Sequence, residues 1–360
     1  MTGWLVYKYR VQSCLQHFDT IVVSNTIKAK NEFEVPDDRF HILEYNAHST
    51  VRKFLNFPKI FPAIKQFKPD MLFFLGTTIY GATSWAIRSV PYTMFWNEHP
   101  IRIAGCYEAK NTLALAKCNF IKSLYYATAR QAHTIMPNSI FHVQDLIQHN
   151  VEPQRIHLVH IGVDDSFISP PRDYRKNTDD PIKIVHSGSV LESRGSLLIL
   201  EALAKAKQRG AKVQVRMVGA KDDQVADYTN KAREYKIDDC YTISPRVPGS
   251  QIPGILHESD VGLCIWANHD YWQYNPPTKL FEFLVAGLPV LASNIRTHTQ
   301  YIQDGTHGFV FDYDAEALGN AFIRLWEQRE LLHGMRKNSL QAGEEYLWHN
   351  VEPKFIRALS

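Results

Sequence analysis

The sequence predicts an α/β protein made of two doubly wound halves. Three observations carry this. Short apolar runs alternate with helix-length segments over most of the 360 residues. The alternation breaks at 165–181, DSFISPPRDYRKNTDDP, whose Asp, Pro and Asn content suits a domain linker. It then resumes in the same order. Strands separated by helices pair in parallel through right-handed crossovers. Two halves of this kind imply a cleft at the carboxyl ends of their strands, where open α/β sheets bind ligands.

In the first half, residues 3–17 suit a helix and 20–24 a strand, 52–67 a helix and 71–75 a strand. Gly76-Thr77-Thr78 then leads into a helix through Ala86. Residues 92–96 read as a strand, 109–130 as a long helix and 134–136 as a strand. Ser139 caps a helix to His149, and 156–159 read as the closing strand. After the linker come strand 182–186, helix 196–209, strand 213–218, helix 223–235 and strand 241–243. Helix 252–257 and strand 261–265 follow, and 315–345 read as helical.

Composition narrows the class. The chain is 45% apolar and 21% charged, which is ordinary for a globular protein. Its five cysteines are scattered, with no zinc-like spacing, so free buried thiols in a reducing compartment are expected. No leader peptide is read at Met1, and 71–87 is a poor membrane span, so a cytoplasmic protein is expected. Residues 1–164 hold 17 Lys and Arg against 12 Asp and Glu, and the remainder holds 23 against 25. Bases interleave with phenylalanines over 52–68, which fits either peripheral contact with an anionic membrane or a sheet-packed helix with snorkelling lysines. No nucleic-acid recognition module is present, and nucleic acid is not expected as a partner.

The stretch NPPTKLFEFLVAGLPVLASN at 275–294 carries the chemistry. Pro276 and Pro277 suit a helix start, Thr278 can help cap it, and Gly287 suits its end. Lys279 and Glu282 then share a face near the N-terminus. A helix N-terminus attracts anions, and Lys279 adds a full positive charge. A carboxylate such as Glu282 accepts two hydrogen bonds from a ribose diol. The plain alternative is an exposed i, i+3 ion pair. Upstream, VHSGSVLESRGSLLILEAL at 185–203 runs from a strand through Gly188 and Arg194-Gly195 into a helix. Such a loop lets backbone approach a phosphate, and Arg194 can bind it bidentately.

These two segments resemble the GT-B glycosyltransferases, specifically the retaining family 4. Gly188 with Arg194-Gly195 resembles the family's glycine-and-lysine loop, with Arg in place of Lys. Pro277, Lys279, Glu282, Gly287, Pro289 and Val290 resemble its Pro-x-Lys-x-x-Glu block, and Asp304-Gly305 with Gly308-Phe309 its tail. His160-Ile-Gly162-Val-Asp164, Ser259-Asp260-Val261 and the terminal segment 348–360 also fit, so the likeness covers nearly the whole chain.

The resemblance implies two Rossmann-like domains, an acceptor side at 1–165 and a nucleotide-sugar side at 166–345, with 346–360 crossing back to the first. It implies transfer of a sugar, with retention, from a nucleoside-diphosphate sugar to a glycan or lipid-linked acceptor, with no metal or other cofactor required. By position, Glu282 would bind the ribose. Arg194 and Lys279 would bind the diphosphate, with backbone near Gly188, Ser189, Gly195 and Thr278. Arg246-Val247 would pass the base, and His99 would face the donor sugar; the alternative for His99 is an ordinary loop histidine before Pro100.

The chain departs from the family in three places. Tyr274 stands where an acid is usual, Thr299-Gln300 where Pro-Glu is usual, and the family's opening strand and Gly-Gly loop are missing. That third departure keeps open a donor-binding or scaffold protein without catalysis. A GT-B sugar-nucleotide epimerase is the remaining alternative, and the Pro-x-Lys-x-x-Glu block argues against it.

Overall fold

The computed structural model describes residues 5–43, 59–75, 90–106, 109–170 and 179–360. The expected helix at 76–86, residues 52–58 of the basic stretch at 52–68 and the middle of the 165–181 linker lie outside them. Contacts divide the chain into two compact units: Val6–Gly162 with Val351–Ser360, and Val163–Asn350 with Met1–Leu5.

The first unit runs α1 (Leu5–His17), β1 (Val22–Ser24), α2 (Ile27–Phe33), β2 (Phe40–Ile42), α3 (Ile60–Phe67) and β3 (Leu72–Phe74). It continues with β4 (Tyr92–Trp96), α4 (Pro100–Ile103), α5 (Thr112–Gln131), β5 (Thr134–Pro137) and α6 (Ile140–Gln148). All its pairings are parallel, but they form two sheets, β1-β2 and β3-β4-β5, rather than one. No described strand joins them. β4 is buried at every residue, as a central parallel strand must be. Ser139 caps α6 as expected, its Oγ accepting from the His142 amide at 3.2 Å.

Three sequence expectations need correction here. Residues 156–159 form a bridge to β5 rather than a strand: His157 and Val159 donate to Ile135 and Pro137, and Pro137 has no N–H to return. The short elements α2, β2 and α4 were not foreseen, because three to seven residues give too little periodicity to read. Cys106 and Cys118 are not free thiols. The end of α4 meets α5 there, bringing the two Cα atoms to 5.4 Å in a disulfide, while Cys14, Cys240 and Cys264 stay free.

The second unit runs β6 (Ile182–Ser187), α7 (Ser196–Gln208), β7 (Val213–Ala220), α8 (Asp222–Glu234), β8 (Tyr241–Pro245) and α9 (Ile252–His257). Then come β9 (Val261–Cys264), α10 (Thr278–Val285), β10 (Val290–Ser293), α11 (Arg296–Thr299), β11 (Gly308–Phe311), α12 (Ala315–Glu327) and α13 (Leu332–Gly343). Its six strands form one parallel sheet in the order β11-β10-β9-β6-β7-β8. The order reverses beside β6, the topological switch where such sheets bind ligands. One face is covered by α7 and α12, whose Leu200, Leu203, Leu318 and Phe322 pack on Ile184, Val261 and Leu291. On β9 Gly262 has no side chain because α10 lies against it: a Cβ there would be 2.4 Å from the Phe283 ring.

The terminal helix α14 (Trp348–Leu359) sets the Phe355 ring 5.6 Å from that of Phe73, and Glu352 accepts from Ser13 Oγ at 2.5 Å.

Candidate functional site

The sequence-expected loop and helix start meet at the carboxyl end of β6. β6 runs into Gly188, whose φ of +120° is a glycine conformation, and whose amide donates to Val218 O at 2.8 Å. Gly219 on the neighbouring strand is equally required, since a Cβ there would sit 2.3 Å from Gly188 O. Ser189 follows, half-buried. A short turn, Glu192–Arg194, then leads through Gly195 (φ +73°) into α7. A Cβ on Gly195 would meet Ile265 Cδ1 at 2.5 Å, so this glycine lets α7 start hard against the end of β9.

α10 supplies the other half. Pro277 is its N-cap, with no side-chain capping bond, and Thr278 is its first helical residue, not its cap. Lys279 and Glu282 are 7% and 2% exposed, so they are not a surface ion pair. Lys279 Nζ instead donates to His186 Nε2 at 2.9 Å, and lies 3.8 Å from the place a Cβ on Gly188 would occupy. Burial pushes Lys279 down to about 8, against the opposing pull of Cys264 and Glu282. Burial likewise pushes Glu282 up to about 7, with Lys279 acting the other way. Glu282 Oε2 is buried without a hydrogen-bond partner. A buried carboxylate of this kind costs stability unless a ligand satisfies it.

Around this pair stand the expected Arg194 and several groups that sequence reading missed. His186 is fully buried on β6, and burial, then Lys279 and Arg194, hold its pKa well below the usual value. Cys264 at the end of β9 lies 3.5 Å from His298 Nε2 on α11. The Arg194 guanidinium is 5.8 Å from the Trp266 ring, and Trp266 packs on Trp272 at 4.7 Å. The only sequence signal for His186 was its place two residues before Gly188. Arg246, exposed, and Val247, half-buried, follow β8, two strands from β6. Neither has a hydrogen bond or ion pair to this cluster among the described residues.

His99 lies in the first unit, on the loop after β4, and is 3% exposed. Its Nδ1 accepts from the Ile101 amide at 3.2 Å as the N-cap of α4, which leaves its proton on Nε2. That Nε2 faces Asp145 Oδ2 at 3.3 Å, and Tyr126 donates to the same oxygen at 2.7 Å. Burial lowers the His99 pKa despite Asp145. Burial would raise Asp145, but bonds from His99 and Tyr126 hold it below its ordinary value. The group is thus a neutral imidazole beside an ionised carboxylate.

Residues 171–342, which hold Gly188, Arg194, Lys279 and Glu282, match the family model described as Glycosyl transferases group 1. The chain carries a group 1 glycosyltransferase domain. It is a glycosyltransferase by class, and its fold is GT-B along the whole chain. HepE of Anabaena, solved in complex with UDP, superposes with a TM-score of 0.74 at 14% identity, over 99% of this chain and 95% of that one. Sucrose-phosphate synthase from Thermosynechococcus elongatus gives 0.73 at 15%, over 99% and 92%. WaaG, a glycosyltransferase involved in lipopolysaccharide biosynthesis, gives 0.69 at 14%, over 97% and 93%. No curated protein sequence matches the chain.

The group 1 domain also contains an Asp-x-Asp triplet, Asp312-Tyr313-Asp314, so the expectation of a metal-free site cannot rest on the chain lacking that motif. Both acids have structural partners: Asp314 caps α12 by accepting from the Ala317 amide, and Asp312 accepts from Asn294 Nδ2. Among the described residues no three His, Cys, Asp or Glu side chains are grouped to hold a metal ion. No described helix is long and apolar enough to cross a membrane.

Proposed function

We propose that this glycosyltransferase moves a sugar from a nucleoside-diphosphate sugar to a glycan or glycolipid acceptor, with retention at the anomeric carbon. One observation carries the donor reading. A buried ammonium, Lys279, lies against a glycine turn with an imidazole, not a carboxylate, as its hydrogen-bond partner. It lacks an anion, and a diphosphate supplies one. HepE, crystallised with UDP and with UDP-glucose, supports the same class of donor. TarM, crystallised with UDP and α-GlcNAc-glycerol, supports a glycan-type acceptor.

In this reading Arg194 and Lys279 neutralise the leaving diphosphate, helped by amides of Gly188, Ser189, Gly195 and Thr278. Negative charge grows on that diphosphate as the anomeric bond breaks, and charges fixed in advance stabilise it without reorganising. Glu282 takes the ribose diol, Arg246-Val247 pass the base, and His99 serves the donor sugar. The acceptor side belongs to 1–165 and the donor side to 166–345, with action in the cytoplasm, in polysaccharide or glycolipid assembly at the membrane face. A second reading, donor binding without transfer, is favoured by the two separate sheets into which the described strands of the first unit fall.

A thermal-shift panel of nucleotide sugars tests the donor. One donor and its free nucleoside diphosphate should both raise the melting temperature, by about 2–4 °C for each kcal/mol of binding linkage. No shift with any of them would remove the reading.

A further inference from the structure

β6 brings His186 to the place where α10 begins. The Lys279 ammonium has only donors, so the imidazole accepts at Nε2, 2.9 Å away, and carries its proton on Nδ1. That Nδ1 is buried, and beyond its own residue's backbone it has no hydrogen-bond partner. A histidine kept in such a place bears the cost of a poorly satisfied donor, a cost an apolar residue would not have. What its position does is fix the Lys279 head over Gly188.

The charged and titratable groups around Lys279 come from every neighbouring element. They are His186 on β6, Arg194 before α7, Cys264 on β9, Glu282 on α10 and His298 on α11. Arg194 disfavours a second positive charge, and burial disfavours it more. A diphosphate reverses both effects, because it brings negative charge to the ammonium.

We propose that His186 is a positioning residue for the donor diphosphate: its neutral imidazole aims Lys279 at the Gly188 loop, and the pair couples diphosphate binding to proton uptake at Lys279. The proton passes from buffer to Lys279 Nζ, and His186 stays neutral throughout. Lys279 is buried with an imidazole, not a carboxylate, as its hydrogen-bond partner, and burial pushes it down to about 8, so part of the population is uncharged near that pH before the ligand arrives. This inference rests on the donor-site reading above.

Calorimetry on the full chain tests it, with UDP, GDP and ADP as probes and the tightest of the three carried forward. Near pH 8, titrations in buffers of different ionisation enthalpy count the protons taken up. A nucleoside diphosphate is itself fully ionised there, since its last ionisation lies near about 6. The native protein should take up a fraction of a proton per nucleotide. His186→Leu should bind the diphosphate roughly tenfold more weakly, an ordinary size for losing a bond to a charged group, and should show an altered pH profile. The parent nucleoside should bind it unchanged. His186→Gln, which keeps an acceptor at the reach of Nε2, should restore most of the affinity. Zero proton uptake by the native protein would overturn the inference even if His186→Leu does not fold. So would a folded His186→Leu with native affinity and pH profile, while Lys279→Ala still weakens binding. Failure of all three nucleotides to bind would instead overturn the donor site, and the inference with it.

Discussion

Glu282 and Lys279 are buried charges without carboxylate or ammonium partners in the described structure, and both carry consequences for stability. The folded-state pKa of Glu282 is raised from 4.5 to about 7. Between those values the folded chain holds more protons than the unfolded one, so stability falls as pH rises through that window. Glu282→Gln removes the penalty, and the ligand-free variant should melt higher at pH 8, by on the order of 1–3 kcal/mol of stability; calorimetric melting checks it. Lys279 runs the other way. Its pKa falls from 10.5 to about 8, so its penalty is present below pH 8 and is relieved as pH rises towards 10.5. In binding, Glu282→Gln should weaken nucleotide and nucleotide sugar together by roughly tenfold while leaving pyrophosphate near native. A 2′-deoxyribose nucleotide should lose little more in that variant, and fully additive losses would remove Glu282 from the ribose. Arg194→Ala and Lys279→Ala should each weaken nucleoside-diphosphate binding by about 1.5–3 kcal/mol. At this scale the sequence showed residues whose signal is local: Lys279 and Glu282 sit three apart after a Pro-Pro step. His186 was hidden because its partner lies 93 positions away, and no spacing rule reaches that far.

The glycines set how closely the elements approach. Gly262→Ala would drive a methyl group into the Phe283 ring and push α10 off β9. It should cost about 1–3 kcal/mol of stability and weaken nucleotide binding as well, because α10 carries Lys279 and Glu282; chemical denaturation and calorimetry read the two effects. The cysteine pair belongs to this scale too. Unfolded but unreduced protein should show three reactive thiols, Cys14, Cys240 and Cys264. Reducing Cys106–Cys118, 12 residues apart, should destabilise the first unit by up to about 3 kcal/mol. Elements with longer apolar patterns were readable: α1 and α7 fall within the helices expected at 3–17 and 196–209, while α14 lies where the family resemblance put it. β11 and α11 were not, since four residues of Gly308–Phe311 or Arg296–Thr299 carry no period of their own. They are defined by the neighbours they pair with or pack against.

At the scale of the whole chain, the repeated strand–helix order was enough to give two doubly wound halves, and it was the resemblance of the 185–203 and 275–294 segments that implied the GT-B class. It was not enough to show that the described strands of the first unit would fall into two sheets, since strand pairing is set by contacts across the unit and not by local pattern. The chemistry assigned to the second unit depends on positive charge held ready for a leaving diphosphate. The most direct measurement is release of nucleoside diphosphate by the full chain from a panel of nucleotide sugars, with glycan or lipid extract as acceptor. One donor should release its diphosphate faster than the enzyme-free blank, and Lys279→Ala should slow that release by about 100-fold or more. Release from a donor at the same rate by native protein and Lys279→Ala, or from no donor at all, would contradict the assignment.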